Sequence, residues 1–148
     1  MQHPVLNYPL RSPLKVAETI KDIIRDKIVC DVGCACGDLM FEFSKYCKKV
    51  IGIEYDNNRA EIARKRGFEV VDKLPNADVY YIWIGIDSSS ENVMNQLKSK
   101  KGKLILAEDD RIEKLGGYEL LFPIEEVCTI SNWYAKDKKI WHLQVVEL

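Results

Sequence analysis

The chain has 148 residues, 47% of them hydrophobic and 30% charged, and its 22 basic and 23 acidic side chains give a formal net charge of -1. This length predicts one domain over residues 1–148, and the charge balance argues against a basic nucleic-acid-binding protein. No apolar run approaches the ~20 residues of a membrane span, and the start MQHPVLNYPLRSP lacks the layout of a signal peptide. We therefore expect a cytoplasmic protein without a membrane partner. Its Lys-, Glu- and Ile-rich composition would suit a thermophile.

Helix-like and strand-like segments alternate through the first half of the chain. Ser12-Pro13 is a typical helix start, and apolar residues then recur at helical spacing as far as Arg25. Strands are predicted at 27–32, 50–54 and 68–71, and helices at 39–47 and between the capping Asp56 and the terminating Gly67.

The second half continues the alternation and ends in a hairpin pattern. Ser88, with Glu91 three residues later, forms a capping box for a helix that ends near Gly102. The connection over residues 108–117 has room for about two helical turns. Further strands are predicted at 78–84, 103–107, 125–130 and 140–146, the last two on either side of a turn at 135–139.

This alternation predicts the fold class. Each crossover between successive strands is long enough for a right-handed βαβ unit, in which the strands are parallel. We expect an α/β fold with a doubly wound, mostly parallel seven-stranded sheet, a C-terminal antiparallel hairpin and helices on both faces.

The segment DVGCACGD, residues 31–38, allows two interpretations, and the first is a metal or redox site. The chain has five cysteines, and an odd number without an export signal predicts reduced thiols. Cys30, Cys34 and Cys36 are spaced C-x3-C-x-C, which is neither a pair of zinc-binding C-x2-C groups nor a redox C-x2-C, and it misses the iron–sulfur spacing C-x3-C-x2-C by one residue. We expect small packing residues and no metal.

The second interpretation is a glycine turn that holds a cofactor. Gly33 and Gly37 bracket a tight turn between a buried strand and a helix that begins near Asp38. Backbone N–H groups at such a helix start face the crevice at the carboxyl ends of the strands. Glu54 follows about twenty residues later, at the end of the next strand, where a ribose-binding carboxylate is expected.

A dinucleotide is a poorer match to this turn. In the fingerprint G-x-G-x-x-G counted from Gly33, the second glycine is replaced by Ala35 and the third by Asp38. An acidic residue at that helix start would meet a pyrophosphate with like charge. A ligand without phosphate avoids this repulsion.

Four segments in order, DVGCACG, IGIEYD, VVD and ADVYYIW, resemble the class I S-adenosylmethionine (SAM)-dependent methyltransferases over roughly residues 12–148. Their first motif, D-x-G-x-G-x-G, is matched at Asp31, Gly33 and Gly37, whereas Ala35 stands where the middle glycine is expected. If φ is positive at Ala35, strain or lost room beside the cofactor costs about 1–2 kcal/mol; if φ is negative, the change is harmless.

The resemblance implies a SAM site and a role for each acidic residue. The turn would curl under the methionine and ribose, and Glu54 would accept hydrogen bonds from the ribose hydroxyls. Asp72 would bind the adenine amino group, with Lys73 beside the ring, and Asp31 would sit near the cationic methionyl portion. The implied cofactor-binding residues are Asp31, Gly33, Cys34, Ala35, Gly37, Glu54, Tyr55, Asp72 and Lys73.

Each acidic residue also has a simpler interpretation. Asp72 could open the loop that leads to Pro75, Glu54 could be a solvated strand end, and Asp31 could only support the turn. The three residues in this order favour cofactor binding over these alternatives.

The end of the fourth strand should bear on the methyl acceptor. Amide and exocyclic-amine methyltransferases of this class carry Asn/Asp-Pro-Pro-Tyr there, whereas this chain has YIWIGID at residues 81–87. This difference counts against adenine-amino and glutamine-amide acceptors. Trp83 could form an aromatic wall of the acceptor pocket, and Asp87 could accept a proton or bind a cationic amine; these are the candidate catalytic residues. The alternatives are a core tryptophan and an aspartate in the loop before Ser88.

Two weaker features bear on the acceptor. Tyr8 and the start of the first helix are similar to the N-terminal segment of small archaeal protein-lysine methyltransferases, which would place residues 1–11 over the cofactor. The acidic residues 108–110, predicted to follow the fifth strand, favour a basic protein segment over nucleic acid.

The sequence therefore predicts a SAM-dependent methyltransferase of unknown acceptor, with a protein or small molecule favoured over nucleic acid. The alternative is a non-catalytic cofactor-binding or partner subunit on the same fold, because Ala35 replaces a glycine and the fourth-strand motif is absent.

Overall fold

The computed structural model describes residues 15–83, 89–109, 124–132 and 139–148. Several sequence predictions lie outside the described residues, namely the segment 1–11, the Ser12-Pro13 helix start, Asp87, the Ser88 cap, most of the connection 108–117 and the turn at 135–139. They stay predictions.

The described residues form five helices and seven strands, which alternate through most of the chain. In chain order they are α1 Lys15–Thr19, α2 Lys21–Ile24, β1 Ile28–Val32, α3 Asp38–Ser44, β2 Lys49–Ile53, α4 Asn57–Lys65, β3 Glu69–Val71, β4 Val79–Trp83, α5 Ser89–Leu97, β5 Lys103–Asp109, β6 Ile124–Asn132 and β7 Lys139–Glu147. The predicted start of α4 is confirmed, because the Asp56 side chain accepts a hydrogen bond of 3.0 Å from the Arg59 N–H.

The strands form one sheet in the order β3-β2-β1-β4-β5-β7-β6. β1 to β5 pair in parallel, and β7 lies antiparallel between β5 and β6. The predicted α/β fold with a mostly parallel sheet and a C-terminal antiparallel hairpin is confirmed. The direction of strand order reverses between β1 and β4, and open α/β sheets bind ligands at the carboxyl ends of strands at such a point.

Buried side chains of β1, β4 and β5 divide between two of the three apolar clusters of the described residues, because successive residues of a strand point to opposite faces. The first cluster joins Val29, Tyr81 and Ile105 of the strands to residues of α1, α2 and α3. The second joins Tyr80, Leu104 and other strand residues to α5. Burial of each large apolar side chain stabilises the fold by about 1.5–3 kcal/mol. Among the described residues, no helix is long and apolar enough to cross a membrane.

The first predicted helix is divided in two. α1 ends at Thr19 and α2 begins at Lys21, with φ -102 and ψ 12 at Ile20 between them. Ile20 is nevertheless buried in the first cluster with Val16. The apolar residues of both short helices therefore face the sheet as they would in a single helix, although the backbone is not helical at Ile20.

β5 is longer than its apolar run predicts. Its pairing with β7 continues through Glu108↔His142 and Asp109↔Trp141. The prediction that residues 108 and 109 follow the strand is therefore wrong. The cause is a partner strand more than thirty residues later in the chain, which local residue preferences do not reveal.

Candidate functional site

The candidate site lies at the carboxyl ends of β1 and β2, which are neighbours in the sheet. Val32 of β1 is paired with Ile53 of β2, and the turn 33–37 follows the first strand directly. The N–H groups of Gly33 and Cys34 both donate to the Ile53 carbonyl, at 2.7 and 2.9 Å. The start of the turn is thereby fixed to the end of β2.

The backbone of the turn is left-handed at three alternate residues. φ is 78 at Gly33, 51 at Ala35 and 90 at Gly37. The two glycines take this conformation freely, but an alanine in the left-handed region is strained by about 1–2 kcal/mol. The question left open by the sequence is thus answered, and Ala35 is in the costly conformation. A side chain at Gly33 would meet no atom within 4 Å outside its chain neighbours, so the turn is open there.

The Glu54 carboxylate is bonded to the turn. Its Oε1 accepts from the Ala35 N–H at 2.9 Å, and its Oε2 accepts from the Asp56 N–H at 2.9 Å. Arg59 adds a charge contact of 3.7 Å to Oε2, and the Glu54 side chain is 8% exposed. Glu54 is therefore not a solvated strand end. Each carboxylate oxygen can still accept a further hydrogen bond, because each has two lone pairs.

Asp31 is the buried acidic residue of the site. It is 2% exposed, and its Oδ2 has no hydrogen-bond partner among the described residues. Burial, with a smaller contribution from the negative charge of Glu54, raises the pKa of Asp31 to about 7. Buried carboxyl oxygens almost always have a donor, so this oxygen is a candidate ligand contact.

The cysteines pack as small side chains. Cys34 lies against β2, where a Cβ on Gly52 would come within 2.6 Å of its Sγ. Cys30 is buried in the second core cluster, and Cys36 is buried as well. Burial raises the pKa of all three thiols, which favours the neutral form over the metal-binding thiolate. Within the described ranges, no group of three His, Cys, Asp or Glu residues could hold a metal ion.

The remaining implied cofactor residues are exposed. Tyr55, directly after Glu54, is 48% exposed, and Asp72 and Lys73 lie exposed at the end of β3. β3 is the neighbour of β2, so the structure brings these residues to the same edge of the sheet as the turn. Asp72 has no hydrogen bond or ion pair within the described part of the chain.

The loop after Asp72 is held by the body of the protein. Leu74 is buried, and its N–H donates to Gln96 Oε1 of α5 at 3.3 Å. The Tyr80 hydroxyl donates to the Pro75 carbonyl at 2.8 Å and accepts from the Ala77 N–H at 2.9 Å. Sequence reasoning missed these contacts, because they join the loop to β4 and α5 through side chains that look like ordinary core and helix residues.

Trp83 ends β4, next to β1 at the reversal of strand order. Its indole is partly buried against the first core cluster. This packing is compatible with the simpler interpretation, a core tryptophan, and a role in an acceptor pocket stays a prediction. The other candidate catalytic residue, Asp87, lies outside the described residues.

A second arginine contact was also missed from the sequence. Arg66, just after α4, donates through Nη1 to the Cys36 carbonyl and to Asp38 Oδ1, both at 2.8 Å. Asp38 is the first residue of α3. The ion pair with Arg66 partly neutralises its charge. A paired Asp38 would repel a pyrophosphate less than a free one, so like charge excludes a dinucleotide less strongly than the sequence suggested. The residues are 28 positions apart, and nothing in either local pattern links them.

No family model matches this sequence, and no curated protein matches it. Solved structures match the fold, and they are mostly methyltransferases. The magnesium protoporphyrin IX methyltransferase (ChlM) from Synechocystis PCC 6803, with bound SAM, is 13% identical at a TM-score of 0.64 over 91% of this chain and 79% of that chain.

Two further similar structures have other reactions in their names. The [4+2]-cyclase SpnF is 12% identical at a TM-score of 0.66, over 90% of this chain and 80% of its own. The precorrin 8w decarboxylase from Methanobacterium thermoautotrophicum is 14% identical at 0.61, over 95% and 93%. This chain thus has the Rossmann-like fold of the class I SAM-dependent methyltransferases, and identities this low establish the fold alone.

Proposed function

We propose that the chain is a SAM-dependent methyltransferase. The observation that carries the proposal is the buried Oδ2 of Asp31, which has no partner among the described residues. A buried carboxyl oxygen calls for a donor or a cation. SAM carries both an ammonium group and a positively charged sulfonium, so its methionyl portion fits this position.

The other residues of the edge fit the rest of the cofactor. Glu54 keeps lone pairs for two ribose hydroxyls beyond the N–H groups that it already binds. Asp72 and Lys73, exposed beside β2, would meet the adenine. The turn 33–37, with Cys34 and Ala35 in it, would pass beneath the methionine and ribose, where the open side of Gly33 leaves room for a ligand.

SAM itself supplies the chemistry, an activated methyl group that a nucleophile takes in an in-line displacement. The chain has to bind and orient the cofactor and to exclude water. Trp83, at the end of β4, would form one wall of the acceptor pocket, and Asp87 would accept a proton or bind a cationic amine. Residues 1–11 would lie over the cofactor.

We propose a protein or small-molecule acceptor rather than nucleic acid. The absence of Asn/Asp-Pro-Pro-Tyr after β4 and the balanced net charge of -1 support this choice. The acidic residues at the end of β5 are compatible with a basic protein segment. A cytoplasmic location and a single domain complete the proposal. The two apolar clusters, each with helix residues packed on it, support a doubly wound seven-stranded sheet with helices on both faces.

A non-catalytic subunit on the same fold is the second candidate. The strained Ala35, with φ 51, favours it, because its methyl group stands where the motif has a glycine and would take up room beside the cofactor. The names of the similar cyclase and decarboxylase add that this fold is not confined to methyl transfer.

Isothermal titration calorimetry with SAM and with S-adenosylhomocysteine tests the cofactor. We expect both to bind, with a loss of about tenfold or more in affinity in Asp31→Asn, since a hydrogen bond to a charged group is worth about 1.5–3 kcal/mol. A matched control is Asp78→Asn, which changes a carboxylate bonded to the Ile28 N–H away from the turn. If neither SAM nor S-adenosylhomocysteine binds at millimolar concentration, the proposal is wrong.

Transfer of a labelled methyl group from SAM to fractions of a cell extract separates the two candidates. Labelling that requires the protein and is lost in Glu54→Ala supports the methyltransferase. Tight SAM binding without any labelled product, with and without added partner fractions, supports the non-catalytic subunit.

A further inference from the structure

Four of the five N–H groups in the turn 33–37 donate to acceptors within the protein. The N–H groups of Gly33 and Cys34 donate to Ile53, and the Ala35 N–H donates to Glu54. The Gly37 N–H donates back to the Cys34 carbonyl at 3.0 Å. Their acceptors belong to Ile53 of β2, to Glu54 directly after β2, and to the turn itself.

Arg66, at the C-terminal end of α4, adds a bond to another group of the turn. Its Nη1 donates at 2.8 Å to the carbonyl of Cys36, which belongs to the same peptide unit as the Gly37 N–H. The other hydrogen of this nitrogen serves Asp38 Oδ1, also at 2.8 Å. The peptide unit between the left-handed Ala35 and the start of α3 therefore cannot rotate without breaking two or more hydrogen bonds.

The position of the arginine is itself fixed. Its backbone N–H donates to the Ile62 and Ala63 carbonyls at 3.1 Å each, so it caps α4. The side chains of Arg66 and Asp38 are 12% and 11% exposed, where a charged pair is little screened by water. Phe68 packs on the same side, because a Cβ on Gly37 would lie 2.8 Å from its ring.

One peptide unit of the turn remains for a ligand. Among the described residues, the Cys36 N–H has no acceptor, and the Ala35 carbonyl receives only a long contact of 3.7 Å from Cys34 Sγ. Both groups belong to the unit that lies between the peptides bonded to Glu54 and to Arg66.

We infer that Arg66 is a positioning residue for the cofactor: with Asp38 it holds the turn in its binding conformation before any ligand arrives. This inference rests on the proposed function for the identity of the ligand, and on the hydrogen bonds of Arg66 to Cys36 and Asp38 for the role of the arginine. A preformed turn has less conformational entropy to lose on binding, so removal of the arginine should weaken binding without removing any ligand contact.

Arg66→Gln is the test variant, and Arg64→Gln is its matched control. Arg64 lies two residues earlier, in the last turn of α4. It also donates to a backbone carbonyl, that of Val70, at 3.1 Å, but this carbonyl belongs to β3 and not to the turn. We expect the Kd for S-adenosylhomocysteine to rise about tenfold or more in Arg66→Gln and less than about threefold in Arg64→Gln.

A second readout uses the ligand-free protein. Amide hydrogen exchange measured by NMR should speed up by about tenfold or more at Ala35 and Gly37 in Arg66→Gln, and should be nearly unchanged there in Arg64→Gln. This measurement stands even if the wild-type protein binds no SAM, an outcome that would overturn the proposed function alone. Equal exchange and equal affinity in the two variants would overturn the inference.

Asp38 provides a pair of variants in case Arg66→Gln does not fold. Asp38→Asn keeps an oxygen for Arg66 and should retain slow exchange at Gly37, whereas Asp38→Ala removes the acceptor and should release the arginine. Identical exchange at Gly37 in Asp38→Asn and Asp38→Ala would likewise contradict a positioning role.

Discussion

The turn after β1 and the end of β3 lie at the same edge of the sheet, but the chain fixes them to very different degrees. At the turn, Glu54 is 8% exposed and bonded to two N–H groups, and Asp31 is buried. At the end of β3, Asp72 and Lys73 are exposed. A cofactor would thus meet hydrogen-bonded groups on its methionine and ribose side, and exposed side chains on its adenine side.

The largest effect on stability is expected from Asp31→Asn. This variant would show how much the buried carboxylate lowers the free energy of unfolding. The folded-state pKa of about 7 lies above the ordinary value of 3.8, so the native state holds a proton that the unfolded state loses between these values. Stability therefore falls as the pH rises from about 4 to 7 and is then level. We expect the variant to be more stable than the wild type by about 2–4 kcal/mol at pH 8.

Urea unfolding of both proteins between pH 4 and pH 8 measures this difference. The difference in the free energy of unfolding should be close to zero at pH 4 and should grow as the pH rises to about 7. A constant difference across the whole range would mean that the pKa of Asp31 is not raised in the folded protein. The carboxylate would then already be stabilised without a ligand, and the argument that its buried oxygen calls for a cation would fail.

Gly52→Ala is expected to have the next largest effect, because it changes the packing behind the turn. The new methyl would lie 2.6 Å from Cys34 Sγ and 2.8 Å from Met40 Sδ. Overpacking of this kind costs about 1–3 kcal/mol. The double variant Cys34→Ala/Gly52→Ala should recover part of this loss, since the sulfur atom is removed. Denaturant unfolding of the four-protein cycle measures the coupling, and strict additivity would contradict the contact.

Ala35→Gly should have a smaller and opposite effect. It relieves the strain of the left-handed alanine but frees the unfolded chain, and the balance should stabilise the protein by about 0.5–1 kcal/mol. The control Ala60→Gly, in the interior of α4, should destabilise by about 1 kcal/mol. If both changes destabilise equally by thermal unfolding, Ala35 is not held at positive φ in solution.

Asp72→Ala should have the smallest effect on stability, within about 0.5 kcal/mol, because the side chain is exposed and bonded to nothing in the described part of the chain. Its effect on SAM affinity should be about tenfold, the value of one hydrogen bond to a charged group. Calorimetry and thermal unfolding on the same samples separate the two quantities. A large loss of stability would remove the contrast between the two regions.

The sequence was sufficient for the α/β fold class, but not for the contacts within the candidate site. Helical and strand periodicity predicted the α/β class because packing follows those periods, and Gly33 and Gly37 marked the turn because few other residues suit positive φ. The φ of Ala35 was not predictable, since residue type alone permits both signs. The bonds from Glu54 to Ala35 and from Arg66 to Asp38 join residues 19 and 28 positions apart, and only the tertiary structure brings them together.

The two sides of the sheet's reversal point come from separate stretches of chain. The residues proposed to contact the cofactor at the carboxyl ends of the strands belong to β1, β2, β3 and their connections, which form one continuous stretch from Asp31 to Lys73. Trp83 and the elements after it supply the region where an acceptor would bind. Under the proposed function, substitutions that change the acceptor can accumulate in the second stretch while the first stays untouched, which would let one cofactor-binding stretch serve many substrates over evolutionary time.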